Sequence, residues 1–300
     1  MQIKENGILH IVFLWRGGIE MTVDIICPLY QAENYIVSLH QSLLKQKNVK
    51  INKIQYILTK SADRSEEILK KNNLNYEVIE KKDFSHSLVR EKAAIKSKAD
   101  IICFISQDIV IESDNWLEKL VNPIIEGKVE ATYSRQLTKF NNIEKYTREC
   151  NYPDKSTVKS KKDIKKLGLK TFFFSDASSA IKNDIFKKLN GYDGKNLPIN
   201  EDMYLAYKLI MNDYRIKYCA DSIVYHSHKF SLKELYDRYK LTGIFLKENT
   251  YLDKYGTTSS GGNLAKYILK RILQEKRFGL LFRYPFDMAA RLFGMKAGKK

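Results

Sequence analysis

The sequence predicts an α/β protein: a mixed, mostly parallel sheet flanked by helices, followed by a basic helical segment. Three observations carry this. Short apolar runs recur through the first third of the chain, at residues 23–27, 54–58, 76–79 and 101–105. Strands of a parallel sheet, buried on both faces, read this way. Between the runs, apolar residues return at helical spacing. The chain has 300 residues, 44% of them hydrophobic, enough to bury a large core without staples.

The elements follow in order. Residues 1–20 read as an extension ahead of Met21. Pro28 ends the first strand, and Tyr35, Ile36, Leu39, Leu43 and Leu44 mark a helix. After the second strand a loop at 59–63 leads into a helix, with Asp63 and Glu66 as a capping box. Leu88, Val89, Lys92 and Ile95 place a helix between the third and fourth strands. Such alternation sets a nucleotide-type ligand at the carboxyl ends of the strands. Further strands are expected at 131–134, 171–174 and 216–219, with a solvated basic loop at 155–170. Residues 184–189 form a short helix closed by Asn190-Gly191. Helices follow at 202–211 and 231–246. From Leu264 on, two basic amphipathic helices are interrupted near Gly279 and Pro285.

Composition excludes several classes. With 14 Gly and 5 Pro the chain is neither collagen-like nor low-complexity. Cys27, Cys103, Cys150 and Cys219 lie far apart with no CxxC pair, which argues against a disulfide scaffold and a structural zinc site. No stretch approaches the roughly 20 apolar residues of a membrane span. Residues 8–15 are followed by Arg16-Gly17-Gly18 rather than a small-residue cleavage site, so no signal peptide is expected. Lys and Arg number 52 against 35 Asp and Glu, a formal charge of +17. Most of the excess sits at 155–170 and 264–300, so local polyanionic partners are expected: phosphates or anionic lipid. No RRM, KH, zinc-finger or helix-turn-helix signature is present, and nucleic acid is not expected as a partner.

Four segments could carry chemistry. Asp108 follows the fourth strand, where a carboxylate either caps the next helix or holds a divalent cation against phosphate oxygens. Glu201 and Asp202 open a helix after Asn200, as ordinary capping acids or as a general base. His226 and His228, two apart on a strand-like run, face the same side and could share a metal site with Asp108. His86 and Arg90, at the start of a helix, suit a diphosphate cradle or a plain surface helix start.

Together these segments resemble the rhamnosyltransferase-like branch of the family-2 glycosyltransferases. The resemblance runs from Val23 to Leu246. It rests on an ordered series: Pro28-Leu29-Tyr30, Asp63-Arg64-Ser65, Phe84-Ser85-His86 with Arg90, Gln107-Asp108, Trp116-Leu117, Arg135-Gln136-Leu137, Asn151-Tyr152-Pro153, Gly191-Tyr192-Asp193, Glu201-Asp202-Met203 and Tyr225-His226-Ser227-His228. Four positions depart from the family pattern. Leu58 stands where an Asp often contacts the base, and Ser106 where a stricter motif has its first acid. Ser87 replaces a Gly, and Glu91 an Asn.

The resemblance implies a GT-A fold at 21–230, with a nucleotide-sugar half at about 21–110, an acceptor half at about 111–230, and a helical, basic, membrane-contacting segment at 231–300. It implies an inverting transfer of sugar, first rhamnose from dTDP-rhamnose, to a lipid-linked glycan at the inner face of the cell membrane. A UDP-hexose or UDP-N-acetylhexosamine donor is the alternative. A basic nucleic-acid- or membrane-binding protein without catalysis is the alternative of another class. Donor binding falls to Pro28, Tyr30, Thr59, Asp63, His86, Arg90, Gln107 and Asp108. The base is Asp202, with Glu201 next. Mg2+ or Mn2+ is held by Asp108 with His226 or His228, and Arg135 and Asp176 lie on the acceptor side.

Overall fold

A computed structural model describes residues 21–300, so the expected extension at 1–20 lies outside the described residues. The strands are β1 (Thr22–Leu29), β2 (Lys50–Thr59), β3 (Tyr76–Ile79), β4 (Ile101–Ile105), β5 (Ile109–Val110), β6 (Ala131–Leu137), β7 (Thr157–Lys159), β8 (Ser178–Lys182) and β9 (Ile216–His226). The helices are α1 (Ile36–Leu44), α2 (Ser65–Lys71), α3 (His86–Lys96), α4 (Trp116–Ile125), α5 (Ile143–Asn151), α6 (Ile164–Leu167), α7 (Asn183–Lys188), α8 (Glu201–Met211), α9 (Leu232–Glu248), α10 (Thr250–Asp253), α11 (Thr257–Gln274) and α12 (Gly279–Lys299).

One sheet runs β3-β2-β1-β4-β8-β6-β9-β5, with β7 added alongside β9. Its first four strands are parallel. β8 runs antiparallel between β4 and β6, and β6 and β9 are parallel again. Period-two alternation splits the core between the two faces. In β4, Ile101, Cys103 and Ile105 pack with α1 and α4, whereas Ile102 and Phe104 pack with Phe186, Tyr192 and Leu205. All four cysteines are free, and Cys27 and Cys103 are core residues.

The structure differs from the sequence reading at four places. Residues 171–174 are not a strand: a 3-10 turn spans Gly168–Phe172, and its aromatic rings are wedged among others, Phe172 against Tyr207 and Tyr255. The strand is β8, whose Ser178 accepts from the buried Trp116 Nε1 at 3.2 Å. The 155–170 segment is not a solvated loop throughout. It holds β7, the 3-10 turn Lys161–Asp163 and α6, and Lys159 is buried with its amine donating to the Phe173 and Lys170 carbonyls. No capping box forms at α2: Asp63 accepts from Ser61 and Ser65, and Glu66 pairs with Lys70 at 2.8 Å. Finally, Pro285 lies inside α12 without ending it; the break falls between Gln274 and Gly279.

The C-terminal helices wrap back onto the α/β body. Ile268 and Ile272 of α11 pack on Ile143 and Tyr146 of α5. α12 runs against α9 so closely that a Cβ on Gly243 would meet the Met295 carbonyl oxygen at 2.5 Å, and one on Gly298 the Ile244 nitrogen at 2.8 Å. Both walls are backbone, so only glycine fits. Among the described residues no helix is long and apolar enough to cross a membrane.

Candidate active site

The parallel strands β1, β2 and β4 end at one cleft of about 440 Å³, as the fold class requires. It is lined by the β1 end (Pro28, Leu29, Tyr30), Thr59, Lys81, Phe84, His86, Arg90 and the β4 end (Ser106, Gln107, Asp108). Seven of the eight expected donor-binding residues therefore meet here. Asp63 is the exception: its carboxylate accepts from Ser61, Ser65 and the Glu33 N–H, which holds the loop rather than the cleft.

Within the cleft the side chains differ in kind. Gln107 turns to the backbone, donating to the Tyr30 carbonyl at 2.9 Å and accepting from its N–H at 2.8 Å, so it fixes the first loop. The Lys81 ammonium lies 5.6 Å from the Tyr30 ring centre. The Thr59 hydroxyl is buried, and among the described residues it has no hydrogen-bond partner. Burial, aided by the Arg90 charge, lowers the His86 imidazole to about 4, so it is neutral near pH 7.

Sheet register builds the second feature. β5 pairs antiparallel with β9, and Ile109 lies opposite His226. Asp108, one residue earlier, is thereby set beside the histidines: its carboxylate is 3.3 Å from His226 Nε2 and 3.9 Å from His228 Nδ1. Ligand atoms of the three residues all fall within 4.8 Å of one another. Burial opposes the Asp108 charge, but the hydrogen bond and charge of His226 bring its carboxyl down to about 2. Burial also lowers His226, and it lowers His228 to about 3 with help from His226 and Arg148. One ionised carboxylate and two neutral imidazoles are the protonation states a divalent cation needs. His226 Nδ1 meets the Gln136 carbonyl oxygen at 2.9 Å, an oxygen that also accepts from Arg148. Gln136 thus fixes the ring through Nδ1 and leaves Nε2 turned toward Asp108.

A third group lies behind Arg90. Its guanidinium pairs with Glu201 at 2.8 Å, both side chains nearly enclosed. Asp202 follows at the start of α8, after Asn200 in the left-handed region at φ 60°. Burial, with Glu201 and Asp176 beside it, pushes the Asp202 carboxyl well above the usual range. Asp176 is buried and accepts from Tyr192 Oη at 2.6 Å and Ser179 Oγ at 2.7 Å; burial raises it against the pull of Arg90. Arg135 sits near the end of β6 opposite Ile223, and among the described residues its Nε has no hydrogen-bond partner.

Sequence reasoning missed Lys81, Gln136, Arg148 and Arg238. The Arg148 and Arg238 charges act on both His226 and His228. Neither has a carboxylate partner among the contacts of the described residues, and an arginine without one was the signal available only after folding. Gln136 gives a weaker sequence signal, a polar residue on an otherwise buried strand.

A Rossmann-like parallel half sheet with a carboxylate–imidazole cluster at the strand ends puts a nucleotide-type site at the carboxyl edge of the sheet. Residues 24–190, more than half of the chain, match Glycosyl transferase family 2, and the chain belongs to that family. It is similar to the O-antigen chain rhamnosyltransferase RfbN of Salmonella typhimurium, 30% identical over 93% of this chain and 90% of that one. It is also similar to the O-antigen chain rhamnosyltransferase WbaN of Salmonella anatum, 32% identical over 80% of this chain and 77% of that one. In fold it is like a mannosyltransferase from Pyrobaculum calidifontis solved with GDP-Man and Mn2+, at TM-score 0.61 and 12% identity over 93% of this chain and 87% of that one. The GT-A fold expected from sequence is the fold observed.

Proposed function

We propose that the chain transfers rhamnose from dTDP-rhamnose, with inversion, to a hydroxyl of a lipid-linked O-antigen-type glycan at the inner face of the cell membrane. The likeness to RfbN and WbaN over most of their length supports the sugar and the acceptor class. The observation that carries the chemistry is the carboxylate–imidazole cluster of Asp108, His226 and His228 beside the cleft that Asp108 and Arg90 line.

The residues divide the work. Tyr30, Thr59 and Lys81 receive the nucleoside, and His86 and Arg90 lie along the diphosphate path. Asp202 is the base. It takes the proton from the acceptor hydroxyl as that oxygen bonds to the anomeric carbon; the anomeric C–O bond breaks and the electron pair leaves with dTDP. Arg90 holds Glu201, and through it the start of α8, so that Asp202 keeps its place. Arg135 and Asp176 stand on the acceptor side.

The donor set fits Mg2+ or Mn2+, held by Asp108 with His226 or His228. When bound, such a cation neutralises charge on the departing diphosphate. Gln136 orients His226, and Arg148 and Arg238, whose charges reach both histidines, add positive charge near the cluster.

Replacing Asp202 with Asn tests the reading. The amide keeps the shape but accepts no proton, so rhamnosyl transfer should fall about 10²- to 10⁴-fold with dTDP affinity nearly unchanged. Transfer at the native rate would move the base elsewhere.

A further inference from the structure

The C-terminal helices show two faces of opposite character. On α12, Gly294 and Gly298 are buried against α9. Phe278, at the helix start, and Phe282, Phe286 and Phe293 within it follow at i, i+4, i+8 and i+15, a spacing that keeps them on one stripe away from that contact. All four are exposed, Phe282 at 82%. Four phenylalanines in solvent along one stripe are an unusual patch, larger than scattered surface apolar residues. Of the apolar residues expected from sequence on such a face, Phe286, Leu292 and Phe293 are exposed, whereas Ile268, Ile272, Leu280 and Leu281 pack inward on α5 and its neighbours.

Free charge on α11 and α12 has one sign. Beyond Lys254 the chain has two acids, and both are committed: Glu275 to Lys145, Tyr146 and Arg271, and Asp287, itself buried, to Arg283. Lys270, Lys276 and Lys296 remain exposed. The helix also reaches the segment that carries His228. Arg283, next to Phe282, donates to the Phe230 carbonyl at 2.6 Å, and the Phe230 ring stacks on His228 at 5.0 Å.

We infer that the Phe278–Phe282–Phe286–Phe293 stripe of α12 docks on an anionic lipid surface, inserting its rings at the headgroup boundary while the lysines hold the anionic headgroups. Aromatic rings beside exposed lysines on α11 and α12, whose two acids are both ion-paired, are the complement of such an interface. Because Arg283 beside the stripe is bonded to the segment carrying His228, a docked chain holds the Asp108–His226–His228 cluster near the lipid, where a lipid-anchored acceptor ends. The inference deepens the lipid-linked acceptor proposed above and rests on that reading.

The test uses the full chain with vesicles of phosphatidylcholine and phosphatidylglycerol, and with phosphatidylcholine alone, without donor or acceptor. The protein should sediment with the anionic vesicles and be released by salt. F282S/F286S should lower that binding by at least about tenfold, and charge reversal at Lys270, Lys276 and Lys296 should weaken it and flatten its salt dependence. A second readout needs no loss of rings: Phe282→Trp should shift its emission to shorter wavelength on adding anionic vesicles. Protein that stays in the supernatant at low salt, or F282S/F286S that binds like the native chain, overturns the inference. So does a dimer in sedimentation equilibrium that Phe282→Ser dissolves, since the stripe would then be a self-interface. Asp108→Ala should bind vesicles normally. Normal vesicle binding together with native-rate transfer by Asp202→Asn would remove the proposed mechanism and leave the docking surface standing.

Discussion

Thr59→Val should move stability and nucleotide affinity in opposite directions. Thr59 is 2% exposed at the end of β2, and among the described residues its Oγ1 meets no donor or acceptor. Leaving a buried hydroxyl unpaired costs about 1–3 kcal/mol, while a made hydrogen bond contributes a net 0.5–1.5 kcal/mol or so. Valine keeps the branched shape and removes the unpaired group. The lower end of the cost applies, because the hydroxyl borders an open cleft. The nucleotide-free variant should therefore gain about 1 kcal/mol and melt about 2–4 °C higher. Its affinity for dTDP should fall about three- to tenfold, as the partner on the base is lost. Thermal melting with and without dTDP, and titration calorimetry, read both effects. A variant that binds dTDP as tightly as the native protein refutes the assignment of Thr59 to the base. A variant that melts lower refutes the unpaired hydroxyl.

Other perturbations follow from the same geometry. Glu201→Gln strands the Arg90 charge in a nearly enclosed site and should cost about 3–5 kcal/mol, a melting decrease of about 10 °C. Gly298→Ala forces α12 off α9 at a backbone wall, costing about 1–3 kcal/mol, and limited proteolysis should release the C-terminal helix first. Burial lowers Lys159 from 10.5 to about 7, so between those values the unfolded chain binds the extra proton and stability rises with pH, by up to about 1.4 kcal/mol per unit. Lys159→Met should flatten that slope in denaturant melts run from pH 7 to 10.

The parallel half of the fold was legible because its strands are buried on both faces. Runs such as Ile101 to Ile105 can satisfy neither a helix stripe nor a solvent face. The antiparallel half was not. Ser178-Ser179-Ala180 carries no β-branched signal, yet it forms the middle of the sheet because small side chains are needed beneath Trp116. Residues 171–174 carry a strong strand signal, but their rings are held by partners distant in sequence, such as Tyr207, Tyr255 and Tyr133. Lys159 read as solvated because nothing local reveals that its amine ends under Phe173. Of the candidate site, Asp108, His226, His228 and Asp202 stood out in sequence as polar residues at element ends. Asp63 looked equally functional, since a loop carboxylate accepting three local hydrogen bonds is indistinguishable in sequence from one facing a ligand.

The carboxylate–imidazole cluster depends on register more than on motif. Asp108 and His226 are separated by over a hundred residues, and what joins them is a two-residue strand. Ile109 and Val110 pair with His226 and Tyr225, while β9 is fixed from its other side by β6, with Leu137 opposite Tyr225. A slip of one residue in the short pairing would turn the facing side chains to the other face, leaving Asp108 without its histidines. Two backbone pairs are too few to resist that slip alone. The register is held instead by side chains: Ile109 is buried, and Gln136 on β6 reaches across to His226 Nδ1. Gln136 therefore does more than orient the ring. It locks the strand that presents both histidines, and it is itself gripped by Arg148 of α5, a helix held in turn by Ile268 and Ile272 of α11. The C-terminal helices thus support the geometry of the cluster from behind as well as lying beside it, which is why loosening them should be felt at the cleft.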